Sequence, residues 1–122
     1  MQNPTISIVI PMYNVEKYIA TVIDSVLKQT LKDLEIIVID DCSSDRSFEI
    51  VSQYTDPRIK IYRQIKNSGE SESRNLGLKI ARGKYVYFMD HDDLILEKHL
   101  ETFFNAAEES QADVVFMNSF FE

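Results

Sequence analysis

The sequence predicts an α/β protein with a mostly parallel sheet, arranged in three α/β/α layers. Short apolar, β-branched runs alternate along the chain with segments whose apolar residues recur at helical spacing. This order builds βαβ units, in which successive strands run parallel. No repeat, low-complexity segment or interior linker interrupts the pattern. We therefore expect residues 1–122 to form one layered domain.

Five strands are predicted. Residues 6–10 form an apolar run that Pro11 closes, and residues 34–39 form a second run that leads into Asp40 and Asp41. Both runs are typical of strands that are buried on two faces. The other predicted strands are residues 59–62, whose alternation indicates a half-exposed strand, residues 85–89 and residues 114–117.

Four helices are predicted between these strands. Asn14 is a favourable N-cap residue for the first helix, whose apolar positions continue to Leu27. Ser44 or Asp45 can cap the second helix, which extends to about Tyr54. The residues expected to face the core are Phe48 and Val51 in the second helix, Leu76 and Ile80 in the third (residues 71–81), and Leu100, Phe103, Phe104 and Ala107 in the fourth, which begins near Glu97.

Composition narrows the possible partners and location. Thirteen basic and twenty acidic residues give a net charge of −7, which would repel a phosphate backbone, so we expect no nucleic-acid partner. A single cysteine and the lack of a signal segment favour the cytoplasm. No apolar run approaches the roughly 18–20 residues that span a bilayer, so membrane association is expected only through segments outside this chain. The chain stops within an apolar run, residues 116–122, which predicts that Glu122 lies inside a longer protein.

Polar residues follow three predicted strands at their carboxyl ends. They are residues 11–14, residues 40–43 and the acidic cluster Asp90-His91-Asp92-Asp93. Ligands of parallel sheets bind at this edge, so these side chains should converge there. Crowded carboxylates raise one another's pKa unless a cation neutralises them, and hard oxygen ligands suit Mg²⁺ or Mn²⁺. We therefore predict a metal ion whose coordination shell a nucleoside diphosphate would complete.

Simpler structural interpretations exist for the same residues. An aspartate at a strand end often forms a turn or caps a helix, and residues 90–93 could cap the fourth helix. Arg74 could bind a diphosphate beside Gly69 at a helix start, or could form a surface salt bridge with Glu70 or Glu72. Spacing alone does not decide between these two roles for Arg74.

Four further residues were weighed in the same way. Tyr13 could border a nucleobase, although ordinary packing is more common. His91 ranks below the carboxylates as a metal ligand, and His99 falls in a helix, where a structural role is expected. Cys42 is excluded as a nucleophile because no histidine is near it in sequence and its acidic neighbours disfavour a thiolate.

Neither of the glycine-rich phosphate-binding motifs, G-x-x-x-x-G-K and G-x-G-x-x-G, occurs in the sequence. Their lack disfavours P-loop and dinucleotide-binding folds.

Taken together, these segments resemble the family 2 glycosyltransferases, which share the Rossmann-like A-type glycosyltransferase (GT-A) fold. The resemblance spans nearly the whole chain, and the ordered set of segments is far more specific than any one of them. Two positions depart from it: Cys42 stands where the family usually has a small turn residue such as Gly, and His91 replaces a small residue. The matching segments are SIVIPMYN (7–14), SVLKQT (25–30), EIIVIDDCS (35–43), RNLGL (74–78), ARGKY (81–85) and FMDHDD (88–93).

The resemblance implies a role for each matching position. Most of these residues would bind a nucleotide-sugar donor, and one would bind the metal ion. Pro11 and Tyr13 would border the base, Asp41 would hydrogen-bond the base, typically uracil, Arg74 would lie near base and diphosphate, Asp92 would contact the ribose, Asp93 would coordinate Mg²⁺ or Mn²⁺, and Asp90 would support the loop.

The implied activity is transfer of a sugar, with inversion, from a nucleotide-diphosphate donor such as a UDP-sugar to an acceptor hydroxyl. The acceptor would be a glycan or a lipid-linked molecule in polysaccharide or cell-envelope synthesis. The family's general base comes from the second half of the domain, beyond Glu122, so this chain should bind donor without completing transfer. The full-length protein would be cytoplasmic or peripheral to the inner face of the membrane.

Two alternatives stand beside this interpretation. One is a non-catalytic nucleotide- or sugar-binding module of the same fold. The other is a receiver-type phosphoacceptor domain, which the order of features disfavours. A receiver carries its paired acids after the first strand and a lysine after the last, whereas here the acidic pairs follow the second and fourth strands.

Overall fold

The computed structural model describes residues 3–90 and 93–111. Within them, strands and helices alternate, and all strand pairs are parallel in the order β3-β2-β1-β4. The predicted α/β class is therefore confirmed. The predicted strand at residues 114–117 lies outside the described residues. The elements are β1 (Ile6–Met12), α1 (Ile19–Leu27), β2 (Leu34–Asp40), α2 (Ser47–Ser52), β3 (Ile59–Arg63), α3 (Glu70–Ile80), β4 (Tyr85–Phe88) and α4 (His99–Ser110).

The two central strands are buried along their whole length. Every residue of β1 and β2 is buried, whereas β3 and β4 lie at the sheet edges and are partly exposed. Side chains alternate between the two faces of a strand. One face of the sheet, with Ile8 and Val38, packs against residues of α1, α2 and α4, such as Ile23, Val51 and Leu100. Helix α3 covers the other face, which completes the three layers.

A glycine sets the contact between α3 and the sheet. A Cβ atom added to Gly77 would overlap Val9 Cγ1 and lie 3.1 Å from Val9 Cγ2. The buried residues of α3 are Ser73 and Gly77, while Leu76 and Ile80 are only partly buried. Leu76 and Ile80, predicted for the inner side of this helix, are thus less buried than Ser73 and Gly77, because the close approach to Val9 requires small residues nearest the sheet.

The first strand is longer than predicted. Pro11 does not close β1, which continues to Met12 and pairs Pro11 with Ile39. Proline has no N–H to donate and is normally excluded from central strands. It is tolerated here because the ladder between β1 and β4 ends at the pair Val9 and Phe88, so Pro11 lies beyond the doubly paired part of the strand.

The predicted helix caps also differ from the structure. Asn14 does not cap α1, whose N-cap residue is Tyr18, and neither Ser44 nor Asp45 is the N-cap residue of α2, which is Arg46. Asn14 has a positive φ of 50° and its side chain turns toward the loop after β2. The Asp45 side chain nevertheless accepts the backbone N–H of Ser47, the first residue of α2, at 2.9 Å. Asn14, Ser44 and Asp45 also join two loops, a long-range role that a cap motif does not reveal. Helix α2 is also shorter than predicted, since it ends at Ser52.

Candidate functional site

The loops after β1 and β2 are tied together at the carboxyl edge of the sheet. Asn14 Oδ1 accepts hydrogen bonds from the backbone N–H groups of Ser44 (2.8 Å) and Asp45 (3.3 Å). The backbone N–H of Asn14 donates to Ser43 Oγ at 3.0 Å, and that of Val15 donates to Ser47 Oγ at 2.8 Å. Since β1 is also paired with β4, the three polar strand ends lie on neighbouring strands, as predicted.

A pocket of about 290 Å³ opens beside these loops. It brings together three predicted nucleotide-binding residues, Pro11, Tyr13 and Asp41, from the ends of β1 and β2. The loop before α3 and the first turns of that helix form the opposite wall. Small-molecule sites usually measure about 300–1,000 Å³, so the pocket suits one part of a nucleotide, such as its base. The lining residues are Pro11, Met12, Tyr13, Asp41, Asn67, Gly69, Glu70 and Ser73.

Asp41 holds the opposite wall of the pocket in place. Its side chain is buried, with the residue only 4% exposed. Oδ1 accepts hydrogen bonds from the backbone N–H of Ser68 (2.7 Å) and from Gln64 Nε2 (3.0 Å), and Oδ2 accepts one from the backbone N–H of Gly69 (2.9 Å). Gly69 is the N-cap residue of α3. The anion at the positive end of this helix is therefore Asp41 itself, where we had expected a diphosphate near Gly69.

The backbone at Cys42 keeps a left-handed conformation, with φ of 64°. Glycine adopts this conformation without strain, whereas a residue with a Cβ atom does not. The cysteine at the position where the family usually has a small turn residue is therefore held in a strained backbone conformation. The Cys42 thiol lies 3.8 Å from the carbonyl oxygen of Ile65, in the loop on the other side of Asp41.

Asp40 supports the same loop from inside the protein. Its carboxylate is fully buried, and Oδ1 accepts hydrogen bonds from the Ser43 hydroxyl (2.5 Å) and from the Ser43 backbone N–H (3.2 Å). Arg63 Nε lies 3.2 Å from Oδ2, an ion pair without an aligned hydrogen bond to that oxygen. Arg63 also donates to the Ser43 carbonyl and lies 4.7 Å over the Phe48 ring. Asp40 is therefore part of the scaffold beneath Asp41.

Arg74 joins the pocket to the acidic cluster. Its guanidinium forms an ion pair with Glu70, four residues earlier in α3, and a second ion pair with Asp90 at 2.8 Å. The surface salt bridge considered from the sequence is thus present, and it extends to the strand end that carries the acidic cluster. Glu70 lines the pocket and Asp90 follows β4. Arg74 itself lies outside the lining residues but connects the two parts of the site.

The acidic cluster is partly described. Asp90 and Asp93 are exposed, while His91 and Asp92 lie outside the described residues. The backbone N–H of Asp90 donates to Asp93 Oδ2 at 3.1 Å, and the backbone N–H of Asp93 donates to the Asp90 carbonyl at 3.1 Å. The ion pair with Arg74 gives Asp90 the loop-supporting contact expected of it. The role of Asp92 at the ribose stays a prediction.

The cluster does not cap the fourth helix, which begins at His99 after the N-cap residue Lys98. That simpler interpretation was therefore wrong. Within residues 3–90 and 93–111, no group of three or more His, Cys, Asp or Glu side chains is placed to hold a metal ion. Because Asp92 is outside this range, the assignment of Asp93 to the metal also stays a prediction.

His99 has a structural environment, as expected. Its Nε2 lies 2.7 Å from the Tyr87 hydroxyl, and the two rings meet edge to face at 5.5 Å. Burial lowers the pKa of His99, which favours the neutral ring. Burial, with the nearby charge of Asp93, raises the pKa of Tyr87. A neutral hydroxyl and a neutral imidazole therefore join β4 to α4 behind the acidic cluster.

Sequence reasoning missed Gln64 and Ser73 as parts of the site. Gln64 Nε2 donates to Asp41 Oδ1 at 3.0 Å and to the Ser73 hydroxyl at 2.9 Å, so it links β3 to α3 beside the pocket. Gln64 directly follows β3. The criterion that selected polar residues at the other strand ends would have found Gln64 had it been applied to the third strand, whereas Ser73 gave no such signal.

The model of the family described as glycosyl transferase family 2 matches residues 7–121. This chain belongs to that family. Among curated relatives, it is 46% identical over 114 residues to the uncharacterized glycosyltransferase EpsJ of Bacillus subtilis, covering 92% of this chain and 33% of EpsJ. It is 40% identical to the poly(ribitol-phosphate) beta-glucosyltransferase of Bacillus spizizenii, covering 89% of this chain and 18% of that protein. Family membership excludes the receiver-type alternative.

Solved structures of similar proteins have the same fold. The structure of S. aureus TarS in complex with UDP superposes with a TM-score of 0.84 at 35% identity, over 89% of this chain and 33% of that one. TarS has also been solved with UDP-GlcNAc, with a TM-score of 0.85. A mannosyltransferase from Pyrobaculum calidifontis has the same fold at 24% identity and a TM-score of 0.78. The predicted GT-A fold is confirmed.

The chain spans about a third of the length of EpsJ and of the TarS fragment that it matches. The transferase family is therefore shown for this chain, while the activity, substrates and partners of a whole protein need separate arguments. No helix in the described part of the chain is both long and apolar enough to cross a membrane.

Proposed function

We propose that this chain forms the donor-binding part of a glycosyltransferase that uses a UDP-sugar. The observation that carries the proposal is the pocket at the carboxyl edge of the sheet, where Pro11, Tyr13 and Asp41 meet. The structures of TarS with UDP and with UDP-GlcNAc, at 35% identity, support uridine as the nucleoside.

The pocket suits the nucleobase. Tyr13 is 47% exposed at its mouth, which leaves an aromatic face for stacking. Among the described residues, Asp41 Oδ2 accepts a single hydrogen bond, from Gly69, so this carboxylate oxygen has capacity for an N–H of the base. From the pocket, the ion pairs of Glu70 and Asp90 with Arg74 lead toward the acidic cluster, where the diphosphate would lie.

We infer that the acidic cluster would hold a divalent ion together with the donor's phosphates. Mg²⁺ is commonly held by one or two carboxylates together with substrate phosphates, and Asp93 offers an exposed carboxylate of this kind. Asp93 is the residue that would hold Mg²⁺ or Mn²⁺, with Asp92 beside it in sequence. A bound ion would supply positive charge to stabilise the departing diphosphate. Arg74 would add a second positive charge at the same place.

The proposed reaction is a direct displacement with inversion. The oxygen of an acceptor hydroxyl forms a bond to the anomeric carbon of the donor, and the bond from that carbon to the diphosphate oxygen breaks. The hydroxyl proton passes to a general base, and UDP leaves with the electron pair of the broken bond. This base would come from a part of the full-length protein beyond Glu122, so that the present chain would bind donor without transferring the sugar.

The acceptor is proposed to be a cell-envelope glycan or a lipid-linked precursor. The relatives include the poly(ribitol-phosphate) beta-glucosyltransferase and the minor teichoic acid biosynthesis protein GgaB of Bacillus subtilis, at 40% and 36% identity. A cytoplasmic location, or one at the inner membrane face, stays a prediction from composition.

Donor binding is tested by calorimetric titration of the chain with UDP, with and without Mn²⁺. Tyr13→Ala should weaken binding about tenfold, since stacking of a base on an aromatic ring contributes roughly 1–3 kcal/mol. Tyr18→Ala is a matched control, because Tyr18 is 57% exposed and lies outside the pocket lining. Equal effects of the two substitutions would argue against the base pocket.

The metal assignment has its own test. Asp93→Ala should remove the increase in UDP affinity that Mn²⁺ produces, whereas Glu109→Ala, which removes an exposed carboxylate from α4, should not. An undiminished Mn²⁺ effect in Asp93→Ala would contradict the assignment. Sugar transfer detected with this chain alone would refute the donor-only role, and a lack of transfer by the full-length protein would favour the non-catalytic module.

A further inference from the structure

Gln29 is a polar side chain buried completely inside the protein. It comes just after Lys28, the C-cap residue of α1, and its exposed fraction is 0%. Its Nε2 donates to the carbonyl oxygens of Ser25 (3.1 Å) and Leu96 (2.7 Å), and its Oε1 accepts from the backbone N–H of Leu100 (2.9 Å). One amide therefore joins the end of α1 to a segment about 70 residues later in the chain.

Two of these bonds, those to Ser25 and Leu100, satisfy groups at helix ends that have no partner within their own helix. The last carbonyls and the first N–H groups of a helix have no partner within it. Ser25 lies in the last turn of α1, and Leu100 lies in the first turn of α4. The N-cap residue of α4, Lys98, makes no side-chain cap bond, and Gln29, from the segment after α1, instead accepts the N–H of Leu100.

The neighbouring residue reinforces the connection. The backbone N–H of Thr30 donates to the carbonyl oxygen of Glu97 at 2.8 Å, and its hydroxyl donates to Glu101 Oε1 at 2.6 Å. Gln29 and Thr30 together bind four groups between Leu96 and Glu101: the carbonyl oxygens of Leu96 and Glu97, the N–H of Leu100 and the carboxylate of Glu101. The first part of α4 is thereby fixed against the end of α1.

This fixed point lies just after the acidic cluster. Upstream, the backbone N–H of Met89 donates to the carbonyl oxygen of Val9 at 3.0 Å, which ties the end of β4 to the sheet. Downstream, the bond from Gln29 holds Leu96. The segment 90–95, which contains Asp93, is therefore held at both ends, and the position of Asp93 depends on both attachments.

We propose that Gln29 is a positioning residue for the metal-binding side of the donor site, acting through Leu96 and Leu100 on Asp93. The proposal rests on the proposed metal-assisted donor binding. Residues that orient a metal ligand without touching the ion commonly change metal affinity or activity about 10- to 100-fold when they are replaced. Gln29 is more remote than such residues, so an effect near the lower end of that range is expected.

The main experiment replaces Gln29 with methionine, which keeps the side-chain length and removes all three hydrogen bonds. We expect UDP affinity in the presence of Mn²⁺ to fall about tenfold, while UDP affinity without metal stays unchanged because the base pocket is untouched. Val26→Ala is the control, since Val26 is fully buried in α1, near Gln29, and its substitution destabilises the protein without removing these bonds. Equal metal-dependent affinities in Gln29→Met and Val26→Ala would overturn the proposal.

Backbone amide exchange gives a second measurement that needs neither ligand nor metal. In the wild-type chain the Leu100 amide should exchange slowly although it lies in the first turn of α4. In Gln29→Met the amides of Leu100 and Asp93 should exchange at least several-fold faster than in Val26→Ala. An unprotected Leu100 amide in the wild-type chain, or an unchanged Asp93 amide in the variant, would refute the positioning role.

The two proposals fail in different ways. If the wild-type chain shows no Mn²⁺-dependent UDP binding, the proposed function fails, and amide exchange still decides whether Gln29 fixes Asp93. If Gln29→Met does not fold, Thr30→Val is used, since it removes only the bond to Glu101. This milder variant should reduce the Mn²⁺ effect less than tenfold and in the same direction. Failure of Thr30→Val to change either the Mn²⁺ effect or the Asp93 amide would overturn the proposal.

Discussion

Replacing Asp41 with asparagine should destabilise the protein and loosen the wall of the pocket. An asparagine oxygen in the place of Oδ1 could still accept from Ser68 and Gln64, but its NH₂ group would face the N–H of Gly69. The hydrogen bond from Gly69 is then lost, and its N–H faces another donor. The bonds from Ser68 and Gln64 remain, but their acceptor is no longer charged. A hydrogen bond to a charged group contributes about 1.5–3 kcal/mol, so we expect a loss of about 2–4 kcal/mol in the free energy of unfolding.

Urea unfolding followed by circular dichroism measures this loss, with Asp93→Asn as the matched control. Asp93 is exposed, and its carboxylate accepts one hydrogen bond from the backbone of Asp90, so its replacement should cost less than about 1 kcal/mol. A difference between the two variants is the predicted result. If Asp41→Asn were no more destabilising than Asp93→Asn, the assignment of Asp41 as the residue that holds the loop would be refuted.

Three further substitutions test the surrounding structure. Gly77→Ala should lower the free energy of unfolding by about 1–3 kcal/mol, because the added methyl overlaps Val9; an unchanged urea midpoint would contradict the close packing of α3 on the sheet. Cys42→Gly should stabilise the chain by roughly 1 kcal/mol by removing left-handed strain, whereas Cys42→Ser should not; thermal unfolding compares the two. Burial would raise the pKa of Glu35, but hydrogen bonds, first that of Lys60, outweigh it and hold this pKa below its usual value. Glu35 should therefore stabilise the fold above about pH 4.3, the usual unfolded-state value, and progressively less as pH falls through its lowered folded pKa. In Glu35→Gln this part of the acid dependence of urea unfolding should disappear, and an unaltered profile would refute it.

The fold class followed from sequence because its signals are local. The β-branched runs at residues 6–10 and 34–39 have the composition of strands buried on both faces, and β1 and β2 are such strands. The alternation of strands and helices then implies a parallel sheet, and the polar residues that follow the strands lie at its carboxyl edge. Pro11, Tyr13 and Asp41 were placed at one site by this reasoning, and they line one pocket.

Helix boundaries and inner faces were predicted less well, because they depend on contacts distant in sequence. Asn14 has the chemistry of an N-cap residue, but the N–H groups that it binds belong to Ser44 and Asp45 in another loop. Leu76 has the hydrophobicity of a core residue, yet the sheet lies against Gly77. A propensity scale describes which type of hydrogen bond a residue prefers. It does not identify the partner, which can be distant in sequence.

The sequence by itself determined the α/β class, the edge of the sheet that carries the site and the family to which the chain belongs. Those properties follow from periodicity and from the order of short motifs. Only the tertiary structure decided that Asp41 binds the start of α3, that Arg74 joins Glu70 to Asp90, and that Gln29 caps α4. The physical reason is that a buried polar group must find a hydrogen-bond partner, and folding, not sequence proximity, brings that partner within reach.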